Sequence, residues 1–269
     1  MEGLLGIDDC ELCSEQKRWD NNYAGLSGRQ LKEFGLFFKT ISSYTNLKDK
    51  VVLDLCCQWG DHMKYLMAAG AKTFGVDIAD FSLKPHPRYE FLRSDAQNLA
   101  IKPASIDIVF CINAFEHIPD PERALREIYR ILKPGGYAFI SFIPVFYSDV
   151  GSHMADFISE PWAHLKYSEP DYISKLRAAV PGTEYWVQEY QKGLNRRTRK
   201  YFHNLFEKYN SNWINRLTGA PRFKTLVRHE WMGVTNENHL THKNFIELQK
   251  KYAKEDLLFQ GMYVLLEKN

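Results

Sequence analysis

Val51–Gly60 reads VVLDLCCQWG, and its first five residues form a short apolar run broken only by Asp54 near its end. A run of that length without polar alternation marks a strand covered on both faces, as in a parallel sheet. Gly60 supplies the backbone freedom of a tight turn, and Met63, Leu66 and Met67 follow at helical spacing up to Gly70, a C-terminal stop. Strand, tight turn and helix form the unit from which the flanking chain is read.

Downstream, Lys72–Asp77, Tyr89–Arg93 and Ile106–Ile112 are predicted as strands two to four. Pro121 suits the first turn of a helix whose buried face would carry Ala124, Leu125, Ile128 and Leu132. Lys133-Pro-Gly-Gly136 should end that helix before strand five, Tyr137–Phe142. Strands alternating with helices imply right-handed crossovers and a parallel sheet wound on both faces. Upstream, residues 27–44 place Leu31, Phe34, Phe38 and Ile41 at helical spacing, which predicts a helix lying over the domain. After strand five, residues 144–221 are rich in Tyr, Trp, His and Pro, with helices expected at Glu169–Val180 and Arg197–Tyr209. That excursion is too long for a plain connection and predicts a structured cap. Arg222–Met232 is the expected sixth strand, Thr241 the N-cap of a helix to about Lys254, and Gln260–Glu267 the last strand. The chain thus divides into an N-terminal helical arm or lid (1–48), a core (49–143), a helical cap (144–221) and the C-terminal part of the core sheet (222–269).

A chain of 269 residues, 45% hydrophobic and 25% charged, can bury one sizeable core. No basic and then apolar leader opens it and no apolar run is long enough to span a bilayer, so a cytoplasmic protein without membrane contact is expected. Five cysteines, an odd number with Cys56 and Cys57 adjacent, suit a reducing compartment. Cys10 and Cys13 read as ordinary thiols on the arm, because a zinc site needs four ligands and no second pair has matching spacing. A net charge of +2 does not demand a polyanionic partner. The basic run Asn195–Lys200 reads either as a phosphate contact or as the solvated face of a helix.

Taken together, VVLDLCCQWG, the TFGVD ending at Asp77 and the run DIVFCINAFEHIPDPERALREIYRILKPGG from Asp107 to Gly136 resemble, at these offsets, the cofactor half of a class I S-adenosylmethionine-dependent methyltransferase of the small-molecule type. The resemblance covers residues 51–143. It implies an α/β, Rossmann-like, doubly wound and mostly parallel seven-stranded sheet with a helical cap inserted after strand five. It also implies S-adenosyl-L-methionine as cofactor and transfer of a methyl group to an oxygen or nitrogen of a small-molecule substrate. A non-catalytic binding subunit with the same fold and an RNA-directed enzyme are the alternatives. Against RNA, Asn113-Ala-Phe-Glu116 stands where nucleic-acid enzymes carry an aromatic-proline tetrapeptide, so nucleic acid is not an expected partner. A nicotinamide dehydrogenase would want glycines at the first, third and sixth positions of the turn, and Cys56–Asp61 does not offer them. Oligomeric state is not set by the sequence.

Ligands of doubly wound sheets sit beyond the carboxyl ends of the strands. Members of the family carry an acidic residue followed by three glycines at alternate positions; aligned on Asp54, those positions fall on Cys56, Gln58 and Gly60. Asp77 lies 23 positions after Asp54, the spacing of a carboxylate that accepts the ribose diol. The resemblance gives Asp77 that role and sets Ile78 against the adenine. Asp95 and Ala96 resemble the pair that reads the adenine edge, although an Asx-turn accounts for an aspartate there as well. Asn113 would face the sulfonium. His117 titrates near neutrality and is the candidate base for a hydroxyl or amine, with helix capping as the other reading. Relatives with Glu, two spacers and then Glu-His at this loop bind a divalent cation. Here Asn113 replaces the first carboxylate, so no metal is expected. His153, Trp162 and His164, with Asp156, Tyr167 and Trp186, combine aromatic walls and polar handles as a substrate pocket does, or as the core of a helical cap does. Trp19 and Tyr23 are placed on the lid.

Overall fold

In a computed structural model of the chain, residues 28–79, 90–182, 184–210 and 221–269 are described. Cys10, Cys13, Trp19, Tyr23 and Tyr89 lie outside them. The strands are β1 (Val51–Leu55), β2 (Lys72–Asp77), β3 (Glu90–Arg93), β4 (Ile106–Ile112), β5 (Leu132–Phe142), β6 (Phe223–Met232) and β7 (Phe259–Lys268). They form one sheet in the order β3-β2-β1-β4-β5-β7-β6. β1 runs parallel to β2 and to β4, and β2 parallel to β3. The chain therefore walks outward from β1 to β3 and returns to β4 on the other side of β1, which makes the β1/β4 boundary the topological switch point where such sheets bind ligands.

Within the described residues the chain forms two compact units. One runs to Ile112 and takes in Glu127–Phe139 and Lys268; the other comprises Asn113–Arg126, Ile140–Glu267 and Asn269. In the first, β1 is buried from Val52 to Leu55, as a strand covered on both faces must be. Helix α1 (Gly28–Ile41) packs here through Phe34, Phe37 and Ile41. The buried stripe uses Phe37 rather than the expected Phe38, because the Phe37 ring meets Phe110 at 4.5 Å and Phe139 at 5.3 Å, edge to face. Helix α2 (Met63–Ala68) follows the turn after β1.

Helix α3 (Pro121–Ile131) begins with Asp120 accepting the N–H of Arg123 at 3.1 Å. At its far end the Lys268 ammonium donates to the carbonyls of Tyr129 at 2.7 Å and Leu132 at 2.6 Å, satisfying groups that a helix terminus leaves open. No separate turn divides α3 from β5: the strand starts at Leu132 instead of the expected Tyr137. Lys133 lies in that strand, its ammonium 2.8 Å from Asp107 of β4.

The second unit holds α4 (Ala163–Lys166), α5 (Glu169–Ala179), α6 (Tyr185–Lys192) and α7 (Arg199–Tyr209) between β5 and β6. Between β6 and β7 it carries a 3-10 turn (Glu237–Thr241), α8 (Lys243–Leu248) and α9 (Lys254–Leu258). Ser168 caps α5 and Thr198 caps α7. Thr241 is not the cap expected from the sequence: it ends the 3-10 turn, and the His242 side chain accepts the N–H of Asn244 to open α8. Trp162, Tyr172, Leu176, Tyr190, Phe245 and Leu257 form an apolar core. Beside it, the buried Asp149 carboxylate accepts from the N–H and hydroxyl of Thr235, the Nδ1 of His239 and the amide of Gln260, at 2.6–2.8 Å. Burial works to raise its pKa, and those donors outweigh burial and hold it below the usual carboxylate range. Among the described residues no helix is long and apolar enough to cross a membrane.

Candidate functional site

The turn after β1 places three residues in the left-handed region at alternate positions: Cys56 (φ 61°), Gln58 (φ 47°) and Gly60 (φ 71°). For a residue with a Cβ that conformation costs about 1–2 kcal/mol, so the turn keeps a glycine-type backbone although two of its three residues are not glycine. Neighbouring groups impose it. Cys57 donates its N–H to the Val76 carbonyl at 3.1 Å, Gly60 to the Cys57 carbonyl at 2.8 Å, and Gln58 to Oδ2 of Asp77 at 3.0 Å.

Asp77 is 8% exposed and closes β2. Its Oδ1 accepts the N–H of Ala79 at 3.0 Å. A carboxylate offers about four acceptor sites, so two backbone donors leave capacity for a diol. Asp54 is 2% exposed, and its Oδ2 has no hydrogen-bond partner among the described residues. Burial first, and then the negative charges of Asp77 and Asp61, push its pKa well above the usual range. A buried acceptor left open at a strand tip fits a ligand that brings its own donors, and S-adenosylmethionine, with its amino and hydroxyl groups, is such a ligand. Ile78 follows at 64% exposure, an apolar side chain open to a flat ring.

The register sets Asp77 opposite Arg93, and Ser94 donates to the Asp77 carbonyl at 2.9 Å, which brings Asp95 to the same end of the sheet. Asp95 accepts the N–H of Gln97 at 2.8 Å and so closes an Asx-turn with its own side chain. Ala96 is buried beside it.

The second unit opens with Asn113, at φ 49°, donating its N–H to the Ser141 carbonyl at 2.7 Å. Three residues on, Glu116 is 2% exposed and accepts the N–H of Ile143 at 3.3 Å. His117 has an exposed edge, and its Nδ1 donates to the Gly193 carbonyl at 2.7 Å. Crowding by protein lowers its pKa, partly offset by the Gly193 carbonyl and the charge of Glu189. His153, at φ 61°, donates from Nε2 to the Pro144 carbonyl at 2.7 Å. The two imidazoles meet edge to face with centroids 4.9 Å apart. Gly151 lets the chain double back to deliver His153, since a Cβ there would lie 2.2 Å from the Val145 carbonyl oxygen. Asn195 ties down the loop around Glu116: its amide donates to the carbonyls of Phe115 at 2.5 Å and Ile118 at 2.9 Å, and its N–H to that of Glu116 at 2.9 Å.

Trp162 and His164 do not belong with His153. Both are buried in the apolar core; Trp162 stacks on Phe245 and donates to the Tyr147 carbonyl, and His164 hydrogen-bonds the Phe146 carbonyl at 2.6 Å. Neither presents a face to a substrate, and burial pulls the pKa of His164 down to about 4. The arginines of the basic run are engaged internally: Arg196 pairs with Glu169 and lies over Phe146, Arg199 pairs with Glu230, and Arg197 lies over Tyr201. Sequence reading passed over Gly193 and took Asn195 only as the start of the basic run; their partners lie 76 to 80 residues away, and no local pattern signals such contacts. Glu116 had one signal, its adjacency to His117.

The methyltransferase domain family matches residues 53–140. The ubiquinone biosynthesis O-methyltransferase of Idiomarina loihiensis is 37% identical over 111 residues, 38% of this chain and 46% of the relative. That of Paraburkholderia phymatum is 30% identical over 132 residues, 46% of this chain and 56% of the relative. The chain thus spans about half the length of the curated relatives it matches. The crystal structure of a protein assigned as a sarcosine dimethylglycine methyltransferase, from Galdieria sulphuraria, aligns with a TM-score of 0.52 at 15% identity, over 89% of this chain and 86% of that one. That likeness is one of fold.

Proposed function

We propose that this chain, whose residues 53–140 match the methyltransferase domain family, is a class I S-adenosylmethionine-dependent methyltransferase that moves a methyl group onto an oxygen or nitrogen of a small molecule, oxygen being favoured by the O-methyltransferase names of its relatives. The observation that carries this reading is the left-handed backbone at Cys56, Gln58 and Gly60, held by the Asp77 carboxylate. It weighs against the alternative of a non-catalytic subunit, whose main support is that Cys56 and Gln58 stand where the family carries glycine.

Bound S-adenosylmethionine supplies a methyl group activated by a sulfonium sulfur. The chain's own residues hold and orient it. Asp77 accepts the ribose hydroxyls with its remaining lone pairs, Ile78 covers the adenine, and Asp95 and Ala96 line the adenine edge. Asp54 and the turn backbone at Cys56, Gln58 and Gly60 take the methionine end. His117, held neutral near pH 7 and fixed by Gly193, offers Nε2 to take a proton from an acceptor that arrives protonated. Cys56, Cys57 and Cys111 are not joined in disulfides, which fits a cytoplasmic setting.

Calorimetric titration with S-adenosylhomocysteine tests the reading. Wild-type chain should bind at micromolar Kd or tighter, about −8 kcal/mol, with Asp77→Ala weakened at least tenfold. Absence of binding by the wild type overturns it. Incubation with metabolite extracts and S-adenosylmethionine, read as a mass gain of one methylene, then names the acceptor.

A further inference from the structure

We propose that Arg196 binds a carboxylate carried by the methyl acceptor, which makes the substrate a small molecule with an anionic group besides the oxygen or nitrogen that is methylated. A guanidinium presents five N–H donors in a planar fork that matches the two oxygens of a carboxylate. Arg196 makes two hydrogen bonds among the described residues, and both are long. Nη1 reaches Glu169 at 3.4 Å and Nη2 the Tyr190 carbonyl at 3.3 Å, while Nε makes none.

Arginines that serve the fold are used differently. Arg177 grips Glu184 with bonds of 2.8 and 2.9 Å, and Arg130 reaches Glu127 and the carbonyls of Leu99 and Ile101 at 2.7–2.8 Å. The Glu169 side chain is 46% exposed, and an ion pair open to water on that scale contributes little, so a ligand carboxylate can take its place.

The Arg196 guanidinium is nevertheless held. It lies over the rings of Phe146 at 4.8 Å and Tyr190 at 5.3 Å, both buried, which fixes its plane and leaves its donor edge for a planar anion. The side chain is 33% exposed and so within reach of a ligand. Its backbone is left-handed, at φ 54°, a strain that persists only where the surroundings impose it and that collects at ligand clamps. Trp162 has the same conformation inside the apolar core, so the backbone alone does not mark a site. Unspent donors on a fixed, reachable guanidinium do.

Long-range contacts bring Arg196 to the candidate base within the second unit. Gly193 holds His117, and Asn195, the neighbour of Arg196, bonds the carbonyls of Phe115, Glu116 and Ile118. The identity of the anion as part of a methyl acceptor rests on the proposed function; the anion site itself does not.

The test follows the arginine Nε–H resonances of the isotope-labelled whole chain during titration with benzoate, benzamide and inorganic phosphate. The Arg196 signal is assigned by its loss in Arg196→Lys and its displacement in Glu169→Gln. Benzoate should shift that signal saturably, with a midpoint at least tenfold below that of any other arginine, and benzamide should leave it in place. Glu169→Gln removes the resident carboxylate and should lower the midpoint at least threefold, so it reads the site even if Arg196→Lys folds poorly. Absence of a saturable benzoate shift, or a midpoint unchanged in Glu169→Gln, overturns the proposal; saturation by phosphate at a lower concentration than by benzoate overturns the choice of a carboxylate. Amidation of the carboxyl groups in a metabolite extract should abolish the methylene mass gain, and its persistence overturns the link to the acceptor. S-adenosylhomocysteine binding is measured on the same samples. Benzoate binding at Arg196 without it sinks the methyltransferase reading alone; that affinity with no benzoate shift sinks the anion site alone.

Discussion

The Asp77 carboxylate, at the tip of β2, accepts the backbone N–H of Gln58 in the turn after β1 at 3.0 Å. One side chain thereby braces the neighbouring strand's turn while keeping lone pairs for a ligand. On the proposed function, structure and cofactor binding share this carboxylate, and removing it should damage both.

Asp77→Ala should lower stability by about 2 kcal/mol, the worth of a hydrogen bond to a charged acceptor, measured by urea unfolding. Asp77→Asn keeps one acceptor oxygen and should lose less stability. An alanine variant as stable as the wild type would mean that the turn does not depend on this carboxylate.

Gln58 sits at φ 47° without being glycine. Gln58→Gly relieves strain of about 1–2 kcal/mol and gives back about 0.5–1 kcal/mol in chain entropy, so its unfolding free energy should match or modestly exceed the wild type. Gln58→Val, β-branched in the same conformation, should be destabilised by more than about 1 kcal/mol. The reverse ranking would show that the turn is not left-handed in solution.

Asp54 has its folded pKa raised by burial and by Asp77 and Asp61. The sign follows from linkage: the folded state binds the proton more tightly than the unfolded chain, so this group's stabilisation is fully present below the unfolded carboxylate pKa and is lost as pH rises through the folded value. Asp54→Asn should therefore raise Tm at pH 7 and flatten its dependence on pH, while weakening binding of S-adenosylhomocysteine. Thermal melts from pH 4 to 8 read the first effect and calorimetry the second.

His164 shows the opposite sign. Its pKa falls from about 6.5 in the unfolded chain to about 4 when buried. Its contribution is present above pH 6.5 and is lost as pH falls toward 4, about 3 kcal/mol across that window. His164→Gln, which keeps a donor for the Phe146 carbonyl, should remove much of the acid-side loss seen by urea unfolding. An unchanged acid limb would place the proton uptake on another group.

Much of this protein was written locally. Apolar runs at Val51–Leu55 and Ile106–Ile112, and the spacing from Asp54 to Asp77, are short-range patterns that backbone geometry and two-sided burial turn directly into parallel strands and their tips. Those tips carry the expected cofactor residues at one end of the sheet because strand register admits little else. Helix phase was less legible: Phe37 displaced Phe38 on the buried face because Phe110 and Phe139 were waiting on strands distant in sequence.

Tertiary structure alone decided the rest. No pattern separates His153, whose ring meets that of His117, from His164, buried eleven residues later, since both are histidines in an aromatic-rich stretch and only packing sets one beside His117 and the other in a core. Nor does composition foretell that Cys56 and Gln58 would accept a conformation glycine prefers; the Asp77 and Val76 acceptors, placed by a neighbouring strand, impose it. Local sequence sets what each segment favours on its own, and long-range hydrogen bonds and burial determine where that preference is overridden.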